Sequence, residues 1–296
     1  VGLAERAPLR SRLAVGLLLA TLLGGCASSA IDLEKLSSPS DQVVWDAGQQ
    51  AVEDKDWESA RQYFRRIVDA FPQSRYQADA RIALADSYLA QGGPGNSILA
   101  VAAFREFLTL YPSAPQAADA QYQAAEAYFQ QKNSPDRDQT PTLQALDEFQ
   151  RLLDVYPDSE YVEPARERIG ECRQTLARSE FMVGYFYQKT RKAWRAAIGR
   201  YERVLREYPD YENMDEVIFR LGEAYNASAR FLEARPVFKR LEEEYPESRW
   251  LPKARELVAE MPLMLPPAEE VPATAPAGPA EPSATTETAD GAPPQG

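Results

Sequence analysis

The sequence predicts an all-α protein, a right-handed α-solenoid of five helix-turn-helix repeats with a C-terminal capping helix. The main observation is a motif, Ala-x3-aromatic-x7-Pro, that occurs five times with unchanged internal spacing. A second observation is that an aromatic residue directly precedes each of the five prolines. The copies are Ala60/Phe64/Pro72, Ala100/Phe104/Pro112, Ala145/Phe149/Pro157, Ala197/Tyr201/Pro209 and Ala234/Phe238/Pro246.

This motif is typical of the second helix of a helix pair. The alanine allows the preceding helix to approach closely, and the ring four positions later fills the space on the same face. The proline ends the helix because it has no N–H to donate and its ring clashes with the preceding turn. Such pairs bury their apolar faces against their neighbours, so the whole array forms a solenoid.

The motif copies set the boundaries of the folded region. We expect repeats at about 41–74, 76–114, 115–160, 161–211 and 212–247, followed by a capping helix that ends near residue 261. Counting back from Pro72 over a repeat of about 34 residues places Gly48 where tetratricopeptide repeats carry a small residue. The units therefore resemble tetratricopeptide repeats. The second repeat is predicted to have a long turn over residues 91–96.

The third repeat carries a polar insertion, Gln131–Pro141, between its two helices. Insertions in a solenoid unit lie on one face and are often binding loops. An alternative is a solvated loop in which Asp138 or Thr140 caps the next helix.

The fourth repeat begins with a long helix, predicted from Pro164 to about Lys189. Apolar and small residues, Cys172 and Phe186 among them, recur along it in steps of three and four and predict a continuous buried seam. Cys172 is therefore expected to be a buried small side chain and not a reactive thiol. The second helix of this repeat is surrounded by basic residues, namely Arg191, Lys192, Arg195, Arg200, Arg203 and Arg206.

The first 25 residues are predicted to be a lipoprotein signal peptide. Two arginines precede an apolar stretch at 13–23, which is too short to span a membrane. The following Leu23-Gly24-Gly25-Cys26 resembles a lipobox, so Cys26 is the predicted lipidation site and residues 26–40 a flexible tether. A plain secretory signal is the alternative, but it does not explain the cysteine. By the same resemblance, Ala27 in place of an aspartate implies the outer membrane.

The C-terminal segment, residues 262–296, has nine prolines and no lysine or arginine. Such a composition predicts an acidic, disordered tail.

Charge and composition exclude several functions. The net charge of −12 argues against a nucleic-acid partner, since phosphate binding needs a basic surface. The sequence has no histidine, its two cysteines form no CxxC motif, and its one glycine-rich stretch lacks the lysine of a phosphate loop. We therefore expect neither enzymatic activity nor a cofactor or metal.

Four features together resemble one family. They are the lipobox, the five repeats, the Asp136-Arg137-Asp138 sequence of the insertion, and the run from Tyr185-Phe186-Tyr187 through Arg200 to Tyr208-Pro209. This combination is similar to the BamD family, the D lipoproteins of the outer-membrane β-barrel assembly machinery.

The resemblance implies a scaffold at the outer membrane, lipid-anchored and facing the periplasm. Its C-terminal repeats would bind the last periplasmic (POTRA) domain of a BamA-type barrel insertase, and its N-terminal repeats would receive nascent, unfolded outer-membrane proteins. Accessory Bam lipoproteins are further expected partners.

The resemblance also implies the partner-binding residues. The arginine that matches Arg200 pairs with a carboxylate of the insertase in that family. Its helical position, three residues after Ala197, is at the edge of the buried arc. The other candidate partner-binding residues are Arg195, Arg203, Asp136, Arg137 and Asp138. An alternative function is that of a tetratricopeptide pilotin or a Tol-Pal-type cell-envelope coordinator.

Overall fold

The computed structural model describes residues 39–262. The predicted signal peptide, the lipidation site Cys26, most of the tether and the acidic tail beyond Pro262 lie outside the described residues.

Residues 39–262 form α-helices joined by short turns, with one π-helical turn and no β-strand. The helices are α1 Asp41–Glu53, α2 Trp57–Ala70, α3 Gln77–Gln91, α4 Pro94–Leu110, α5 Ala117–Phe129, α6 Thr140–Val155, α7 Val162–Phe186, α8 Trp194–Glu207, α9 Met214–Ala227, α10 Phe231–Glu244 and α11 Leu251–Glu260, with the π-helix Tyr187–Arg191 between α7 and α8. Each helix packs chiefly against the helices before and after it in the chain, and α11 also packs on α9. The predicted all-α solenoid with a final capping helix is confirmed.

The repeated motif has the predicted structural role. All five motif alanines are fully buried, and the five rings that follow them are buried as well. The aromatic residue before each proline is the C-cap of the second helix, and its backbone N–H donates to the carbonyl four residues earlier. The proline after each cap then prevents the helix from continuing.

Three glycines of first helices pack directly against the motif rings. A Cβ added at Gly48 would lie 2.5 Å from Cε1 of Phe64, and one at Gly222 would lie 2.6 Å from Cε1 of Phe238. In the fourth repeat the corresponding residue is Gly184, where a Cβ would lie 2.8 Å from Cε1 of Tyr201. Only a residue without a Cβ allows these helix pairs to approach so closely.

The buried side chains of residues 39–262 form four clusters. Three of them follow the repeats: one around Phe64 in α1–α3, one around Phe104 in α3–α5, and one around Phe149 in α5–α7. The fourth cluster runs without interruption from Ala177 to Met261 and joins repeats four and five and α11 in one core. Helix α7 contributes its first half to the third cluster and its second half to the fourth.

Two sequence-based predictions about local structure are wrong. The turn between α3 and α4 consists of Gly92 and Gly93 alone, both with positive φ, and Pro94 already begins α4. Proline suits this first helical position because the missing N–H has no intrahelical partner there. Phe186 is not part of the buried seam, since it is 45% exposed and the π-helix begins directly after it. Cys172, by contrast, is fully buried as expected, and burial raises the pKa of its thiol to about 11.

Candidate functional site

Two of the predicted arginines, Arg200 and Arg203 of α8, share one carboxylate of α7. Nη1 of Arg200 donates to Oε2 of Glu180 at 2.7 Å, and Nη1 of Arg203 donates to Oε1 of the same group at 3.1 Å. On α8 these arginines lie next to the buried face that carries Ala197 and Tyr201. Each arginine side chain therefore starts close to α7 and extends along the surface of that helix. The arginine side chains remain 36% and 45% exposed, whereas that of Glu180 is 20% exposed.

This arrangement leaves donors available to a partner. A guanidinium carries five N–H groups in a planar fork, and Glu180 accepts from only one N–H-bearing nitrogen of each arginine. The Cα of each arginine is fixed by α8, and its guanidinium is bound by Glu180. The pair therefore presents an orientated cationic surface that suits a carboxylate on another protein.

Arg195 lies at a different place on α8. It is exposed and lines a shallow hollow with Trp194, Ala196 and Ser228, the last from the turn after α9. Within residues 39–262 it forms no ion pair. The structure therefore does not bring Arg195 together with Arg200 and Arg203.

The insertion of the third repeat is a loop held by its own hydrogen bonds. Oδ1 of Asp138 accepts from the backbone N–H and the hydroxyl of Thr140, at 3.2 and 2.8 Å. Asp138 thus accepts from the first N–H of α6, whereas the N-cap residue of this helix is Gln139, whose side chain forms no capping hydrogen bond. A hydrogen bond from Ser134 lowers the pKa of the exposed Asp136. The side chain of Arg137 forms no ion pair with the described part of the chain.

The loop and the α8 arginines are separate sites along α7. Lys132 at the start of the loop lies 3.8 Å from Glu171 of α7, whereas the arginines bind Glu180. The two glutamates are nine positions apart, which corresponds to about 13 Å along a helix axis. The six candidate partner-binding residues thus form three surfaces: the Glu180-bound pair, Arg195, and the loop.

Sequence reasoning missed a buried polar network that joins repeats four and five. The Tyr201 hydroxyl donates to Oε1 of Gln188 at 2.6 Å, and Nε2 of Gln188 donates to Oε2 of Glu223 at 2.8 Å. Gln188 is fully buried in the π-helix. Gln188 is four residues after Gly184, and this spacing places both residues on the same buried helix face. A search for periodic apolar residues does not find Gln188, because its side chain is polar.

Arg220 of α9 completes this network. It donates to Glu216 and to Glu223, both at 3.0 Å, and its guanidinium lies 4.5 Å from the Trp250 ring centroid. Burial acts to raise the pKa of Glu223, but hydrogen bonds from Lys189 and Arg220 outweigh it and the pKa lies below its usual value. The carboxylate therefore stays ionised, and the network fixes α9 against the π-helix and α11.

Apolar side chains are exposed at the end of α7. Met182, Tyr185 and Phe186 are 38%, 40% and 45% exposed, and the Arg191 guanidinium lies 5.6 Å from the Phe186 ring centroid. Exposed aromatic residues next to cations are a common feature of protein interfaces.

The described residues offer neither a metal site nor a membrane-spanning helix. Across residues 39–262, no group of three or more acidic, cysteine or histidine side chains could hold a metal ion. None of the helices described here is both long and apolar enough to cross a membrane.

Comparison with known proteins gives matches to two protein families. Residues 38–230 match the YfiO family, described as an outer membrane lipoprotein, and residues 216–248 match a tetratricopeptide repeat family.

Several characterised relatives are outer membrane protein assembly factors. The chain is 30% identical to the "Outer membrane protein assembly factor BamD" of Caulobacter vibrioides over 73% of this chain and 70% of the relative. It is 29% identical to the protein of that name from Haemophilus influenzae, over 71% and 81%. It is 28% identical to the protein of the same name from Rickettsia prowazekii, over 82% of this chain and 94% of the relative. The expected family is confirmed: the chain belongs to the YfiO/BamD family of outer membrane lipoproteins, the outer membrane protein assembly factors.

Proposed function

We propose that this protein is a lipid-anchored, periplasmic scaffold of the β-barrel assembly machinery. In this proposal the lipid is attached at Cys26, the C-terminal repeats bind a BamA-type insertase, and the N-terminal repeats bind unfolded outer-membrane proteins. Membership of the assembly-factor family supports the general role. The observation that carries the insertase assignment is the pair Arg200 and Arg203 on Glu180.

The C-terminal repeats suit a folded partner. Their single apolar core and the network around Gln188 hold α7, α8 and α9 in fixed relative positions. Binding to a pre-organised surface loses less conformational entropy than binding to one that must first become ordered. A carboxylate of the insertase would accept from the remaining guanidinium N–H groups of Arg200 and Arg203.

The N-terminal repeats suit an extended and variable partner. Their buried side chains form small separate clusters, each shared by one repeat and the first helix of the next, so this region can deform at a lower cost than one continuous core. A hollow between α1, α2 and α3 has polar and apolar walls that include Gln49, Val52 and Ala83. Such mixed walls accept different side chains from an unfolded chain.

Arg200→Glu tests both halves of the proposal. The variant places a second carboxylate beside Glu180 and reverses the charge offered to the insertase, so recovery of the insertase from detergent-solubilised membranes should fall about tenfold or more. Binding of an unfolded β-barrel protein to the purified variant should be unchanged, because the N-terminal repeats are not altered.

Arg206→Glu is the matched control. Arg206 is on the same helix and is 67% exposed. It pairs with Glu207, which also lies 3.8 Å from Nε of Arg203, but within residues 39–262 it has no ion pair with Glu180, so its reversal should leave the contact of Arg200 intact and recovery of the insertase unchanged. Equal recovery with both variants, at unchanged helical content and melting temperature, would refute the assignment of Arg200. Recovery of a secretin ring by the unaltered protein would instead favour the pilotin alternative.

A further inference from the structure

A groove between α10 and α11 is open on the last face of the solenoid. Its volume is about 240 Å³. Phe238, Leu251, Ala254 and Val258 form an apolar floor, and Arg235, Lys239 and Arg255 contribute cationic groups to the rim. The α10 residues of the rim lie at 235, 239 and 242, which is one face of a helix. This face is where a further helix would stack in a longer solenoid.

The described chain ends at one end of this groove. Met261 is buried in the C-terminal core. Nη2 of Arg235 donates to the carbonyl oxygens of Met261 and Pro262, at 3.2 Å each. The residues that follow therefore start beside the groove, whatever path they take afterwards.

The groove has an excess of positive charge. Arg255 pairs with Glu242 and Lys239 pairs with Glu243. Arg235 binds only carbonyl oxygens and forms no ion pair within residues 39–262. Its charge is therefore not neutralised by the folded repeats.

The sequence after Pro262 matches this surface in order and in chemistry. Leu263, Met264 and Leu265 come first, then two prolines, and then Glu269 and Glu270, with no lysine or arginine in the rest of the chain. Three extended residues span about 10 Å. The seven helical steps from Arg235 to Glu242 also span about 10 Å along α10.

We propose that residues 263–270 of this chain occupy the groove between α10 and α11. Leu263, Met264 and Leu265 cover the apolar floor, and the two prolines, Glu269 and Glu270 continue beyond it. The start of the acidic tail is then a cover for the last repeat, and any other protein that uses this face must displace it.

Photo-cross-linking within the full-length lipoprotein tests this contact. Benzoylphenylalanine replaces Leu265, or Ala284 as the distal control, and the protein is irradiated in detergent micelles as a mixture of ¹⁴N and ¹⁵N forms. We expect position 265 to cross-link within one molecule to peptides from residues 235–259, and position 284 not to do so. Cross-links that join ¹⁴N to ¹⁵N peptides, or the absence of cross-links to α10 and α11, would overturn the proposal.

A second variant shows whether the groove itself is the site. Ala259→Asp places a carboxylate in the groove at an exposed position, and it should lower the cross-linking yield from position 265 about fivefold or more. Lys253→Asp is the control, since Lys253 is on the same helix, is exposed, and does not line the groove. An equal yield in both variants would show that the segment lies elsewhere.

Discussion

Repeats one to three hold their buried side chains in three separate clusters, whereas repeats four and five share one cluster with α11. In the first region each unit contacts only its neighbours, so its stability is close to a sum of local terms. In the second region the polar network around Gln188 and Arg220 adds contacts from the π-helix through α8 and α9 to Trp250, the N-cap of α11. The same helical repeat thus gives a modular array at one end and a single cooperative unit at the other.

The boundary between the two regions runs through α7. This helix has 25 residues, or about 37 Å. Its residues up to Cys172 pack in the third cluster, and those from Ala177 onward pack in the C-terminal core. A long continuous helix is a rigid connection, so the modular region is attached to the cooperative one without a hinge within the helix.

The largest expected effect is the loss of amide protection after a glycine substitution, which should spread further in the C-terminal region than in the N-terminal one. Gly184→Ala and Gly48→Ala each force a Cβ against a buried ring, and each should cost about 2–3 kcal/mol of unfolding free energy. We expect Gly184→Ala to lower amide protection throughout α8–α11. Gly48→Ala should lower it in α1–α3 alone. Hydrogen exchange read by mass spectrometry provides the comparison, and an equal spread from both sites would remove the distinction.

A smaller effect concerns the polar network. Gln188→Ala removes the partner of the buried Tyr201 hydroxyl and one donor to Glu223, which should cost about 1–2 kcal/mol. In the double variant with Tyr201→Phe the two costs should not add, because the orphaned hydroxyl is gone. Urea unfolding of the four proteins measures this coupling. If the losses of unfolding free energy in the two single variants add up to the loss in the double variant, the hydrogen bond between Tyr201 and Gln188 contributes little to the stability of the C-terminal core.

The smallest effect is expected at Cys172, on the modular side of α7. Burial raises its pKa to about 11, so native protein at pH 8 should react with a disulfide reagent far more slowly than unfolded protein does. The protein used should have Cys26 blocked or replaced by serine. Because Cys172 packs in the third cluster, Gly184→Ala should change this rate by no more than about twofold. A rate that rises in parallel with opening of α8–α11 would place both sides of α7 in one unit.

Much of the fold was predictable from the sequence because the repeated motif combines packing and helix termination in the same residues. The spacing from small residue to ring is 16 in the first repeat (Gly48 to Phe64) and 16 in the fifth (Gly222 to Phe238). In the fourth repeat it is 17, from Gly184 to Tyr201. With a spacing of 16 in the fourth repeat, the residue packed against Tyr201 would be Tyr185, but Tyr185 is exposed.

The π-helix explains this shift. A π turn holds one more residue than an α turn, and Tyr187–Arg191 lies between Gly184 and Tyr201. Apolar periodicity assumes 3.6 residues per turn and cannot detect the extra residue, which is why Phe186 was wrongly assigned to the seam. The pairing of Arg200 and Arg203 with Glu180 was also not predictable, because it depends on the relative rotation of α7 and α8 and not on either helix alone.

Native-state hydrogen exchange of the unaltered protein at increasing urea concentration tests the central comparison most directly. We expect the slowest amides of α8, α9 and α10 to converge on one opening free energy, since they share a core. Those of α1 and α2 should exchange through openings of lower free energy, distinct from those of α5 and α6. A single common free energy for α1–α11, or separate values for α8 and α10, would contradict a modular region joined to a cooperative one.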